Sequence, residues 1–106
     1  MAKYLLQVSY TAEGAKGLLK DGGTKRRQAA TALVEGLGGK MESLYFAFGE
    51  TDVFAVADLP DSTSATAVAL ALAASGAVSS KTTVLITPEE IDQAVKKSTQ
   101  YTPPGR

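Results

Sequence analysis

The chain of 106 residues contains neither cysteine nor histidine. Disulfide bonds, thiolate nucleophiles, zinc sites built from Cys and His, and haem held by either residue are therefore excluded. A general base that works near neutral pH would have to be a carboxylate with a raised pKa or a lysine with a lowered one. The sequence predicts no bound metal and no cofactor. It leaves open whether the protein is an enzyme; if it is one, the reaction is cofactor-independent.

Net charge is absent as well, because 11 Lys and Arg residues balance 11 Asp and Glu residues. Such a chain creates no overall field that attracts nucleic acid or an anionic membrane, and little repulsion opposes its self-association. The N-terminal apolar run is too short for a signal peptide, and the longest apolar segment, residues 65–74, has about half the length that crosses a bilayer. The sequence predicts a cytoplasmic protein without a membrane or nucleic-acid partner.

The pattern of apolar residues predicts four strands and two main helices. In the first predicted strand, Tyr4, Leu6 and Val8 lie on one face. In the second, the neighbours Leu44 and Tyr45 lie on opposite faces. The predicted strands are residues 3–10, 40–48, 52–59 and 78–87, and the predicted helices are residues 24–37 and 62–75, followed by a short helix that begins with the capping box Thr87-Pro88-Glu89-Glu90. Residues 11–23 contain four glycines, which weaken any continuous helix, so the segment is predicted as a loop or one loose helical turn. Thr24 then caps the next helix.

The centre of the chain is a predicted hairpin. Two apolar runs flank Gly49-Glu50-Thr51-Asp52, which is typical of a short turn between antiparallel strands. On the strand before this turn, simple alternation places Met41, Ser43 and Tyr45 on one face and Glu42, Leu44 and Phe46 on the other. The hairpin joins two strand–helix units, so it sets the topology of the whole chain.

This order of elements predicts an α+β fold of the ferredoxin-like type, βαββαβ, with a four-stranded antiparallel sheet and its helices on one face. We expect one domain over residues 1–98 and an extended tail over residues 99–106. The other face of the sheet carries aromatic and aliphatic residues among polar ones. Leaving that surface in water costs about 25 cal/mol per Å² of apolar area, so we expect the chain to form a homodimer through this face.

Short motifs along residues 4–95 resemble the GYD-domain family of bacterial proteins. Tyr10-Thr11-Ala12-Glu13-Gly14 is similar to the aromatic-Thr-x-x-Gly segment that follows the family's first strand, and Lys25-Arg26 to its basic pair. The remaining matches are Leu37-Gly38-Gly39, Tyr45 with Phe48-Gly49, Leu59-Pro60-Asp61 and Gly76-x-Val78. In the Gly-x-Tyr-Asp signature that names the family, Gly49 and Asp52 are present, but Thr51 replaces the tyrosine.

The resemblance implies the dimeric α+β barrel fold. Proteins of that shape include cofactor-free monooxygenases, small isomerases and haem enzymes, so the fold implies no particular activity. Since the signature tyrosine is replaced by Thr51, no function that needs a phenol at that position is expected here.

Five residues are candidates for binding a small ligand. Asp52 follows the central turn, where a carboxylate either accepts backbone hydrogen bonds or acts as a base. Tyr45 either packs or donates its phenol. Gln7, Ser9 and Lys81 alternate along the first and fourth strands, where they suit either a ligand or a hydrated dimer seam.

Thr24, Lys25 and Arg26 form a second candidate site, because a hydroxyl and two cations at a helix N-terminus can hold an anion. The segment lacks the P-loop spacing, and a solvated basic turn is the alternative. The chain also lacks the basic-Gly-aromatic motif that RNA-recognition domains carry on their third strand.

Two functions therefore remain open, and no catalytic residue is assigned. The first is a homo-oligomer that binds a small organic molecule in a cleft between sheet and helices. The second is a structural or accessory assembly module without catalysis.

Overall fold

A computed structural model describes residues 1–106 and confirms the predicted α+β fold with a ferredoxin-like antiparallel sheet of strand order β2-β3-β1-β4. The strands are β1 (Ala2–Tyr10), β2 (Lys40–Phe46), β3 (Val53–Leu59) and β4 (Val78–Leu85), and the helices are α1 (Ala12–Asp21), α2 (Gly23–Gly36), α3 (Ser62–Ala74) and α4 (Pro88–Val95). The central strands β1 and β3 are paired along seven residues, and both contribute side chains to the hydrophobic core.

The two faces of the sheet differ in burial. On one face, which we call the covered face, α2 and α3 pack against alternate residues of β1 and β3, so Leu6 and Leu59 are buried together with Val34 and Val68 of the helices. The residues between them point to the other face, which we call the open face. None of the open-face side chains is fully buried in the protomer.

Residues 12–21 form the ten-residue helix α1, so the prediction of a loop or one loose helical turn was wrong. Thr11 caps α1, because its hydroxyl oxygen accepts a hydrogen bond from the Gly14 N–H at 3.2 Å. Gly14 is buried, and a Cβ atom there would collide with the carbonyl oxygen of Ala77. Glycine at this position therefore allows the helix to approach the start of β4, which outweighs its weak helix propensity.

The start of α2 and the register of β2 also differ from expectation. Gly22 rather than Thr24 stands at the N-cap, with a φ of 81° and no side-chain hydrogen bond. A bulge between Met41 and Ser43 places Met41 on the covered face with Leu44, so strict alternation fails there. The sequence pattern could not show this extra residue because bulges carry no composition of their own.

The C-terminal part stands away from the core. The predicted capping box is present, since Thr87 and Glu90 exchange hydrogen bonds at 3.0 and 3.1 Å. Every residue of α4 is exposed, and residues 96–106 contain no helix or strand. The Cα radius of gyration is 16.9 Å, against about 13 Å for a compact chain of this length, and the largest dimension is 57 Å.

No helix is both long and apolar enough to traverse a lipid bilayer. The cytoplasmic location, the absence of a nucleic-acid partner and the domain boundaries stay predictions.

Candidate functional site

A cavity of about 140 Å³ lies between the covered face of the sheet and helices α2 and α3. Of its 16 lining residues, 15 are hydrophobic. They come from all four strands or their ends and from both helices: Leu6, Val8, Tyr10, Arg26, Ala29, Ala30, Leu33, Val34, Met41, Leu44, Phe46, Val53, Ala55, Val68, Leu72 and Val78. The cavity thus arises because small residues such as Ala30 and Ala55 occupy positions where larger side chains would fill the layer between sheet and helix.

Arg26 is the one charged residue of the lining, and it stands with Ala29 at the exposed end of the cavity. The position follows from helix geometry, since Arg26 precedes Ala30 by one turn on the apolar stripe of α2. Its Nη1 lies 3.5 Å from Oδ2 of Asp21 at the end of α1. The side chain nevertheless stays 45% exposed, so it can reorient toward a molecule at the mouth.

Tyr10 provides the phenol at the same end. Burial of the ring raises the pKa of Tyr10, and the positive charge of Arg26 opposes this effect without cancelling it. The phenol is therefore protonated at neutral pH and serves as a hydrogen-bond donor or acceptor, not as a base.

Asp52 holds the end of β1 where Tyr10 enters the lining. Its Oδ2 accepts a hydrogen bond from the Tyr10 N–H at 2.7 Å, and its own N–H donates to the carbonyl oxygen of Val8 at 2.9 Å. Its carbonyl oxygen accepts from the N–H of Ala47 at 2.8 Å, which closes the turn between β2 and β3. Asp52 thereby ties the central turn to the strand that carries Tyr10, and its side chain is not part of the cavity lining.

Thr11 fixes the other side of the same junction. Its N–H donates to the carbonyl oxygen of Ala77 at 2.9 Å, and its hydroxyl lies 3.0 Å from the carbonyl oxygen of Gly76. Together with the close approach of Gly14 to Ala77, these bonds join the end of β1 to the start of β4. The cavity wall around Tyr10 and Val78 is thus fixed by two sets of hydrogen bonds, one from Asp52 and one from Thr11.

Three of the predicted ligand-binding residues lie in one row across the open face. The register aligns Lys81 with Gln7, Gln7 with Phe54, and Phe54 with Tyr45. With strands about 4.8 Å apart, Lys81 and Tyr45 stand about 14 Å from each other at the two ends of this row. Ser9 lies beyond the row, where its hydroxyl donates to the carbonyl oxygen of Glu50 at 3.3 Å. None of these four residues lines the cavity, which lies on the opposite face.

Lys25 and Arg26, two of the predicted anion-binding residues, share one counterion. Asp21 lies 3.7 Å from Nζ of Lys25 and 3.5 Å from Nη1 of Arg26. Thr24 belongs to a separate shallow groove on the outside, which it lines with Arg27 and Tyr45 among others. The structure therefore separates this trio, and only Arg26 reaches the cavity.

Tyr10 is the site residue that sequence reasoning missed. The signal was present, because Tyr4, Leu6, Val8 and Tyr10 form a wholly apolar strand face, which is the face that helices cover. The polar residues of the mixed face, such as Gln7 and Ser9, favour a ligand site there instead. No group of three or more Asp and Glu side chains is arranged to hold a metal ion.

The model of the GYD domain matches residues 4–95 of the chain. The chain belongs to the GYD-domain family. None of the curated proteins gives a match. Within this GYD domain, residues that resemble the family's motifs lie at both ends of these junctions. Thr11 and Gly14 contact the segment Gly76-Ala77, and the Asp52 carboxylate accepts a hydrogen bond from the Tyr10 N–H. Gly39 has a comparable role, since a Cβ atom there would collide with the carbonyl oxygen of Asp58.

Proposed function

We propose that this GYD-domain protein is a homodimer that binds a small, mostly apolar organic molecule in the cavity between sheet and helices. The observation that carries the proposal is the lining, which has 15 hydrophobic residues among 16 and one charged residue at its mouth. Ligand sites in proteins are typically apolar concavities with few polar groups.

The size of the cavity supports a ligand built on a single ring or a short aliphatic chain. Its volume of about 140 Å³ is close to the roughly 150 Å³ of an engineered apolar cavity that stays dry and binds benzene. The side chains that line this space do not fill it with contacts to one another. A ligand that fills it recovers contacts that the side chains do not make with each other.

The binding part of the proposal is tested with fluorobenzene, followed by ¹⁹F NMR during a titration with the protein. We expect saturable broadening or a shift of the fluorine signal. Ala30→Leu fills the space beside Val34 and should abolish the effect, whereas Ala32→Leu changes an exposed residue on the same helix and should leave it intact. Absence of saturable binding, or equal binding by Ala30→Leu, would contradict the proposal.

The dimer part is supported by the open face. Tyr45 and Phe54 face each other across β2 and β3 and are 72% and 38% exposed. Leu5, Val56 and Leu85 add half-buried aliphatic side chains to the same surface. Packing this face on a second copy would remove these groups from water, which supports the sheet-on-sheet dimer of the α+β barrel type.

The second candidate function, a non-catalytic assembly module, is supported by a different surface. No charged residue occurs from Ser62 to Ser80, and Leu70 is exposed on α3. The apolar residues Ile91 and Val95 of α4 are exposed as well. Uncharged helix surfaces of this type favour contacts with other subunits. Light scattering distinguishes the two, because assembly through α3 would be lost in Leu70→Glu and retained when the open face is altered.

A further inference from the structure

The polar groups of the cavity are concentrated at one end. Arg26 and Tyr10 supply the guanidinium and the phenol, while the opposite wall around Leu6, Val34 and Val68 is buried and has no polar side chain. A molecule that fills the cavity would therefore have an apolar body in the interior and one polar group at the mouth.

The charge at this end favours an anion. Arg26 is in the first turn of α2, which contains no acidic residue, so the backbone dipole of the helix adds positive potential where the guanidinium stands. The single counterion Asp21 is shared with Lys25, and its oxygen lies 3.5 Å from one nitrogen of Arg26. The guanidinium has five N–H donors, so it can bind a second carboxylate in addition to Asp21.

Tyr10 adds a neutral donor in the same place. Because burial raises the pKa of its phenol, the O–H remains protonated at neutral pH and can donate to an anion. The Asp52 carboxylate is engaged by the Tyr10 N–H at 2.7 Å, which fixes the backbone that carries the ring.

We propose that the ligand of this cavity is a small carboxylic acid with an apolar body, whose carboxylate binds Arg26 and Tyr10 and whose body occupies the space among the aliphatic side chains. The inference rests on the proposed function and adds the chemical class of the ligand. A neutral molecule of the same size fits the space, but it makes no charge-assisted hydrogen bond to the guanidinium donors that Asp21 leaves free, so the carboxylate is preferred.

The test compares 4-fluorobenzoate with 4-fluorobenzyl alcohol by ¹⁹F NMR titration at neutral pH, where the acid is ionised. We expect the wild-type protein to bind the carboxylate at least about tenfold more tightly than the alcohol, as a charge-assisted hydrogen bond predicts. Arg26→Met should remove this preference and leave the affinity for the alcohol within about twofold. Tyr10→Phe should weaken carboxylate binding by about threefold to fivefold and keep the ring in place.

Arg27→Met is the matched control, because Arg27 is the next residue of α2 and lines the outer groove but not the cavity. It should keep the preference for the carboxylate, and thermal unfolding should verify that each variant is folded. Equal affinity of the wild type for acid and alcohol, or equal loss in Arg26→Met and Arg27→Met, would overturn the inference. Fluorobenzene binding without any carboxylate preference would overturn this inference alone, whereas failure to bind any of the three compounds would overturn the proposed function with it.

Discussion

The covered and open faces of the sheet are made by the same strands, yet they differ in nearly every physical property. In β1, Leu6 is 4% exposed beneath the helices, while its neighbour Leu5 is half-buried on the open face. The covered face contains the cavity and one charged group at its mouth. The open face contains an ion-pair cluster in which Nζ of Lys3 lies 2.9 Å from Asp58 and 3.1 Å from Glu42.

This difference shows why polarity alone did not locate the candidate site. The open face has many polar groups, and some of them pair with one another, as Lys3 does with Asp58 and Glu42. Hydrogen bonding to Asp58, and then to Glu42, raises the pKa of Lys3, which keeps this lysine charged. The covered face has few polar groups, and for that reason the charge of Arg26 and the phenol of Tyr10 stand beside an apolar space. The proposed ligand would gain affinity there from both burial and charge.

The largest expected effect is the difference in stability between two variants that each remove one leucine side chain, one from each face. Leu6→Ala should lower the free energy of unfolding by about 2–5 kcal/mol, because it enlarges a space that the core cannot fill. Leu5→Ala should cost about 1 kcal/mol or less in dilute protein and more at high concentration, because Leu5 belongs to the proposed dimer interface. Urea unfolding at two protein concentrations measures both, and equal losses for the two variants would contradict the difference between the faces.

A charge on the open face should separate the subunits. Phe54→Asp places a carboxylate in the middle of the predicted interface, and in a two-fold dimer each substitution acts twice. We expect the molar mass from light scattering to fall from two chains to one, with the circular dichroism spectrum unchanged.

The matched control for this variant is Leu70→Glu on α3, which should remain a dimer. A dimeric Phe54→Asp protein together with a monomeric Leu70→Glu protein would move the interface to the helices and favour the assembly-module function.

Removal of the hydrogen bond between Asp52 and the Tyr10 N–H should have an intermediate effect on stability. Asp52→Ala leaves the Tyr10 N–H without its partner at 2.7 Å, and we expect a loss of about 1–2 kcal/mol in unfolding free energy because the group is partly buried. Glu50→Ala, on the exposed part of the same turn, should change it by less than about 0.5 kcal/mol. If the two variants are equally stable, Asp52 does not hold the strand end as described.

The smallest effect concerns the cap of α3, the helix over the covered face. The Ser64 N–H donates to Asp61 at 2.8 Å, and this hydrogen bond lowers the pKa of Asp61. Because the folded pKa lies below the unfolded value of about 3.9, the stabilisation is complete above that value and is lost as the pH falls through the folded pKa. Stability measured between pH 6 and pH 3 should fall less steeply in Asp61→Asn, whereas identical slopes would contradict this role.

Most of the fold could be predicted from the sequence, since it depends on local signals. The stripe that contains Ala30 and Val34, the capping box at Thr87 and the hairpin each identify one element. Helix α1 could not be recognised in this way, because Gly14 is required by the approach of Ala77, more than sixty residues away in sequence. The bulge after Met41 depends on pairing with β3 and has no sequence signature.

The candidate site was less predictable than the fold because a cavity is defined by what the side chains leave unfilled. Arg26 could be singled out as a cation at a helix start, but its position over an apolar space depends on how α2 is placed on the sheet. Asp52 could be identified from the sequence as a turn residue, but the structure is needed to show that its carboxylate accepts a hydrogen bond from the Tyr10 N–H. Gly49, which resembles the glycine of the family signature, has a negative φ and open space around it, so nothing in the protomer explains a glycine there.

The most direct measurement of the central claim is a methyl-resolved ¹H–¹³C NMR titration of the protein with 4-fluorobenzoate. The shifts should be largest for the methyl groups of Val8, Leu33 and Leu44, which line the cavity, while those of Leu5 and Val56 on the open face should stay unchanged. Shifts concentrated on Leu5 and Val56, with the cavity methyl groups unaffected, would show that the open face binds the ligand and would contradict the account.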